Sequence, residues 1–460
     1  MTRRRHAGIG TQPRTRFGKV RTTVERSVVR VPATGLLHGH RYRVSPGRIW
    51  TRERGLALAL LAVVGPGVLA GLSDDDPAGI TTYSILGADF GYKLLWTLLA
   101  STAALVLFHD LTVRLGCATG KGLVSVIRMR YGAKAGFSSA GFLIIANLGT
   151  TAAEMAGIAA GLEIGGVSRY LSVPVAAAAV TTLVLAGTFH RVELVLLVIS
   201  SVFITYIASG ILAHPHWGQA ARGLVVPELP FQRHAILVAT ATLGTTLAPW
   251  GLAFIQSYAV DKKLKPSDWK FERIDVVVGA VATGVIGFFV VVACAETLHR
   301  SHTHIKDASN AAVALAPLAG HLASTLFAVG LVGAGLLAAA ILPLSTSYSV
   351  AESFGKEGRI DGSLRTEPIF FMTFIAMTAV AAAIVLIPGA PLVPILFLTQ
   401  AVNAVMLLPL LAMIAYLTRD PELMGELRIG TVSAYAAWTT TALITVTVVA
   451  LGVVSLLPGH

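Results

Sequence analysis

A chain of 460 residues that is 54% hydrophobic and only 13% charged has too little polar surface for a soluble globular protein, which usually carries about 25% charge. The net charge of +12 sits at one end, because residues 1–54 hold 14 Lys/Arg against Glu25 and Glu53. That tail has few aromatics and no recognisable fold, which argues against nucleic-acid binding, and Cys117 and Cys294 offer neither a disulfide framework nor a metal or redox spacing.

Residues 1–54 read as a disordered, basic cytoplasmic tail that contacts anionic lipid and sets topology. It is too long for a signal-peptide n-region. Residues 55–460 read as one polytopic domain with eleven spans near 55–86, 91–113, 137–163, 171–189, 192–213, 233–260, 272–298, 322–351, 368–388, 391–417 and 431–457. An apolar run of about 20 residues crosses ~30 Å of hydrocarbon as a helix, and no strand-period alternation competes. With the tail inside, 30 of the 36 Lys/Arg fall in cytoplasmic segments; Lys93, Arg169, Arg222, Arg233, Arg300 and Lys306 are the other six. That asymmetry supports the orientation.

In the first span, Asp74, Asp75 and Asp76 precede Pro77-Ala78-Gly79. Each ionised Asp at mid-bilayer costs roughly 2.5–3.5 kcal/mol. Three in succession therefore predict a cation site, with Asp76, beside the proline, as direct ligand. Successive helical side chains diverge by about 100°, so Asp74 and Asp75 share its direction only if the helix is unwound there. Glu154 is a lone acid in the third span, a proton carrier or part of the ion path. In the sixth span, Gly244-Thr245-Thr246-Leu247-Ala248-Pro249 offers no carboxylate; its ligands would be a carbonyl at Thr245 or Ala248, or the Thr245 hydroxyl. The His299–His304 loop resembles a metal motif, but loop histidines are more often solvated. Gln400 and Asn403 lie one turn apart in the tenth span, where they line a cavity or bond between helices.

Asp76-Pro77-Ala78-Gly79 and Ala248-Pro249-Trp250-Gly251 are both x-Pro-x-Gly patterns inside apolar runs, five spans apart. An odd offset inverts one half relative to the other. Interrupted helices at matching positions of inverted halves point to a transporter's binding site.

Gly65-Pro66-Gly67, Asp76-Pro77-Ala78-Gly79 and Gly87-Ala88-Asp89-Phe90-Gly91-Tyr92-Lys93-Leu94-Leu95-Trp96 resemble the start of the Nramp divalent-metal transporters, and Gly244 to Pro249 resembles the family's sixth helix. The resemblance spans most of residues 55–420. It implies an all-α integral membrane protein with the LeuT-like fold: two inverted five-helix repeats, broken helices one and six, and an eleventh helix. It also implies a divalent-metal site between the broken helices, with the metal as transported substrate and no cofactor.

Departures from the family pattern are specific. Asp76 matches the ligand aspartate, but Gly79 stands for the ligand asparagine and Ala248 for the methionine. Trp250 and Ile255 stand where the family has histidines; Glu154 keeps one acid of a pair whose other member is Thr151; Gln400 matches the glutamine near the metal. Loss of the thioether weakens preference for softer metals, and the small residues leave room for retained waters, as Mg²⁺ requires. The chain thus resembles the Nramp-related magnesium transporters. The expected site comprises Ser73, Asp76, Gly79, Glu154, Thr245, Ala248 and Gln400, importing Mg²⁺ or Mn²⁺ by alternating access without obligatory proton coupling. The alternatives are a proton-coupled Mn²⁺/Fe²⁺ symporter and a LeuT-fold carrier of an organic solute. Three aspartates would repel a substrate carboxylate. An intramembrane aspartyl protease would want carboxylates on separate helices, and Gly116 to Gly122 has the wrong spacing for a phosphate loop.

Overall fold

The two sequence interruptions are where helices begin. In the computed structural model, Asp74, Asp75 and Asp76 form a bend, and α1 (Pro77–Phe90) starts at the proline. Asp76 caps it, its side chain accepting from Gly79 N, with Pro77 at the first helical position. Both are favoured there, because the cap satisfies an orphan donor and proline has no N–H to orphan. The second interruption separates α8 (Arg233–Thr246) from α9 (Pro249–Asp261). Leu247 and Ala248 leave helical geometry, and Pro249 opens the new helix. The structure describes residues 74–186, 201–360 and 362–456, all within one compact unit, Val64–His460. The basic tail, the 54/55 domain boundary, Ser73 and the first half of the first span lie outside the described residues.

The remaining helices are α2 (Leu95–Thr119), the short α3 (Leu123–Tyr131), α4 (Ala133–Ile164), α5 (Arg169–Leu185), α6 (Thr205–Leu212) and α7 (Trp217–Val225). After α9 come α10 (Trp269–Cys294), which continues as a π-turn to His299, α11 (Ala323–Ser353), α12 (Pro368–Val385), α13 (Leu392–Leu417) and α14 (Thr431–Leu456). Among the described residues, eight helical stretches are long and apolar enough to cross a membrane, the α8–α9 pair counted as one. The apolar helices Arg169–Leu185 and Val202–Leu212 are shorter. The architecture is all-α, as composition and span length predict.

α1 and α2 pack against α8 and α10, and α2 also against α9, while α4 packs mainly against α11 and α13. α8 joins the two groups through its extensive contact with α13, and α1 touches α8, α10, α13 and α4. The α1–α4 contact depends on Gly157: a Cβ there would lie 2.3 Å from Pro77 Cβ. A larger residue would push the proline, and the bend before it, away from α4.

Candidate functional site at the two helix breaks

The bend sends Asp74 and Asp76 to different neighbours. Asp76 Oδ1 accepts from Gly79 N at 2.5 Å. A Cβ on Gly79 would lie 3.1 Å from Asp76 Oδ1, 2.8 Å from the Asp74 carbonyl and 3.5 Å from Thr245 Oγ1. Asp76, Gly79 and Thr245 therefore converge on one spot at the α1 start and the α8 end. All three aspartates are buried. Asp74 Oδ2 and both Asp75 carboxylate oxygens lack a hydrogen-bond partner.

Glu154 reaches the same region from α4. Its carboxyl and that of Asp76 act on each other electrostatically. Neither oxygen receives a hydrogen bond from a donor, and the side chain is fully buried. Two neighbouring buried carboxyls, one held by a backbone amide and the other without a donor, leave unmet demand for positive charge, which a cation or a proton can supply.

The α8–α9 break supplies backbone oxygens and a hydroxyl. Thr240, Thr242 and Thr246 turn their hydroxyls back to the carbonyls of Ile236, Val238 and Thr242. Among the described residues Thr245 makes no such bond, so its hydroxyl stays available at the break. The Ala248 carbonyl accepts from Gly251 N at 3.2 Å, which leaves a lone pair. Gln400 is engaged on α13: its amide donates to Thr399 and its carbonyl accepts from Asn403, which also donates to Thr150 on α4. The expected interhelical bond is made by Asn403 alone; both bonds of Gln400 stay within α13 and engage its amide rather than leaving it aimed freely at Asp76. Among the described residues no three or more His, Cys, Asp or Glu side chains form a ready-made metal cage.

Two contributors carried no signal in the sequence. Tyr83 Oη and Ser101 Oγ both bond to Thr246 Oγ1, at 2.8 and 3.0 Å, tying α1 and α2 to α8 beside the break. His109 on α2 is buried, and neither ring nitrogen has a partner. Its place in the apolar half of α2, just before Asp110, gave it no motif or spacing.

Carboxylates fasten both ends of the bundle. At one end Glu352 of α11 accepts from Val124 N and Ser125 N at the start of α3 (2.9 and 3.2 Å) and from Ser257 Oγ of α9 (2.6 Å). Beside it Tyr348 donates to Asp261 at 2.8 Å. A cavity of about 360 Å³ opens there, lined by Ser257, Val260, Asp261, Tyr348 and Glu352 among others. At the other end Asp89 binds His234 and His304 at 2.6 and 2.7 Å, and Glu296 accepts from Tyr92 and pairs with Arg300. His304 is exposed, as expected of a loop histidine, and it also bonds to Asp89.

A helix that starts at Pro77 and a helix broken before Pro249, with buried carboxyls where they meet, belong to a helical membrane transporter of the LeuT-like type. A family model described as "Natural resistance-associated macrophage protein-like" matches residues 67–454, and the chain belongs to this Nramp family. It is 28% identical over 393 residues to "Divalent metal cation transporter MntH" of Acidiphilium cryptum, covering 82% of this chain and 87% of that one. Among solved structures, the Eremococcus coleocola manganese transporter superposes with a TM-score of 0.68 at 21% identity, covering 88% of each chain. Mhp1, a nucleobase-cation-symport-1 family transporter, superposes with a TM-score of 0.54 at 15% identity, covering 84% of this chain and 90% of that one.

Proposed function

We propose that this protein carries a divalent metal cation, Mg²⁺ or Mn²⁺, into the cytoplasm by alternating access, with the ion partly hydrated at the two helix breaks. The observation that carries the reading is the convergence of Asp76, Gly79 and Thr245 beside the unpartnered Glu154 carboxyl. Asp76 is the charged direct ligand. Carbonyls at Ser73 and Ala248 and the hydroxyl or carbonyl of Thr245 add hard oxygen donors, and Gly79 leaves space for water. Glu154 contributes charge to the same pocket. Oxygen ligands with retained water suit Mg²⁺ and Mn²⁺. The printed names of the relatives, a divalent metal cation transporter and a manganese transporter, agree with the ion class.

The charge asymmetry puts the Glu352 end in the cytoplasm and the Asp89 end outside. Alternating access then requires the two carboxylate fastenings to release in turn. The protein is a multi-pass component of the cell membrane. Its basic tail lies on the cytoplasmic leaflet and contacts anionic lipid. It is a transporter rather than an enzyme, and the metal is its cargo.

The test is uptake into liposomes containing the purified protein. Asp76→Ala should abolish divalent-cation uptake; wild-type rates in that variant would overturn the site. Mg²⁺ at millimolar concentration should compete with Mn²⁺, and failure to compete would overturn the hydrated-ion reading. A second reading, proton-coupled Mn²⁺ transport, is favoured by the Asp76–Glu154 contact. Internal acidification that accompanies metal uptake would select it.

A further inference from the structure

Asp74 turns away from Asp76 and towards α9. A Cβ placed on Gly251, in the first turn of α9, would lie 4.0 Å from Asp74 Oδ1. The same point is 3.3 Å from His109 Nε2 and 3.9 Å from His109 Cε1. The imidazole edge and the carboxylate thus both border the space a side chain at 251 would fill. The exposure of His109 is 1% and that of Asp74 is 2%. Both ring nitrogens and Asp74 Oδ2 lack any hydrogen-bond partner. A buried imidazole ordinarily gives one nitrogen to a donor or acceptor, because leaving both unmet costs desolvation twice.

We propose that His109 and Asp74 form a second metal position, separate from the Asp76 spot, that takes a borderline transition-metal ion such as Zn²⁺ or Co²⁺. Neutral imidazole is a poor ligand for Mg²⁺ and a good one for zinc-like ions, whereas the Asp76 spot offers oxygen alone. Two protein ligands with the remaining positions given to water make a transient stop rather than a closed structural site. The stop lies on the α9 side of the breaks. It rests on the transport reading above and deepens it: an imported ion leaving Asp76 towards α9 meets His109 next. An ion held there by nitrogen leaves slowly, so zinc-like ions act as blockers of hard-ion uptake.

The experiment measures Zn²⁺ and Mg²⁺ as competitors of Mn²⁺ uptake in proteoliposomes, and compares their relative potency. His109→Ala and Asp74→Asn should each lower the Zn²⁺/Mg²⁺ potency ratio by roughly tenfold or more, the scale on which altered ligation weakens metal sites. Gly251→Ala keeps both ligands but fills the space between them, and should lower the ratio in the same direction. The exposed His321 is the control, and His321→Ala should leave the ratio as it is. An unchanged ratio in all three site variants would overturn the proposal. Imidazole nitrogen coupling in pulsed spin resonance of Cu²⁺ bound to the detergent-solubilised full chain reads the site without transport. Because the chain has 13 histidines, the reading is a difference: the amount of imidazole-coupled Cu²⁺ should fall in His109→Ala relative to the wild type and stay unchanged in His321→Ala; no fall in His109→Ala would overturn the site. Absence of any divalent uptake by the unaltered protein would count against the transport reading alone, since the nitrogen coupling still decides this one.

Discussion

Asp76 and Glu154 come from different helices, and each carries a charge that hydrocarbon opposes. Their carboxyls meet with no donor on Glu154. Two like charges in a low-dielectric pocket repel unless a cation or proton lies between them. A metal bound there, as proposed, would stabilise the pair as much as the pair would hold the metal. Glu154→Gln keeps the shape and removes one charge. It should raise the KM for the transported metal about tenfold while leaving the maximal rate near wild type, since a lost ground-state interaction of ~1.4 kcal/mol has that effect. Concentration-dependent uptake measures it. Asp76 was legible in the sequence because three aspartates beside a proline and a glycine put charge and freed backbone groups into hydrocarbon, a combination that calls for a cation. The division of labour among the three aspartates was not, since it depends on bend geometry. His109 was not either, since a lone histidine carries no spacing signal.

At the scale of elements, Glu352 joins α11 to α3 and α9, which belong to different parts of the bundle. It accepts from two α3 amides and the Ser257 hydroxyl, and hydrogen bonds to an ionised group are worth about 1.5–3 kcal/mol each. Removing the carboxylate should free α9 to move from α11. Val260 lines the neighbouring cavity. A cysteine introduced as Val260→Cys should be alkylated about tenfold faster when combined with Glu352→Ala than alone, given a shift of ~1.4 kcal/mol towards the open form. Thiol-labelling kinetics in membranes checks this. An unchanged rate would show that other contacts, such as Tyr348 with Asp261, hold this end by themselves. The helices themselves were readable from apolar run length. Expected spans at 391–417 and 431–457 compare with helices Leu392–Leu417 and Thr431–Leu456. The fastenings were not readable, because Glu352 is more than 200 residues from its α3 partners.

For the whole molecule, the charge pattern makes a topological claim. The tail and the Lys262–Arg273 segment should be cleaved by protease added to the cytoplasmic face, and a C-terminal tag should be digested from the opposite face. Selective digestion of right-side-out and inverted vesicles measures this. Each basic residue near an anionic surface contributes about 1 kcal/mol. Deleting residues 1–54 should therefore abolish any stimulation of uptake by anionic lipid while uptake in zwitterionic liposomes continues.

The sequence by itself determined the class of molecule. Hydrocarbon permits only long apolar helices, and it tolerates broken ones only where the freed backbone groups find partners, so two x-Pro-x-Gly interruptions five spans apart already implied an inverted repeat with a site between its halves. The tertiary structure decided which atoms meet there. It turned Asp76 towards Gly79, Thr245 and Glu154, turned Asp74 towards Gly251 and His109, and engaged Gln400 with Thr399 and Asn403. Side-chain direction in an unwound segment follows from local backbone angles and from what packs opposite, and neither has a period that a sequence displays.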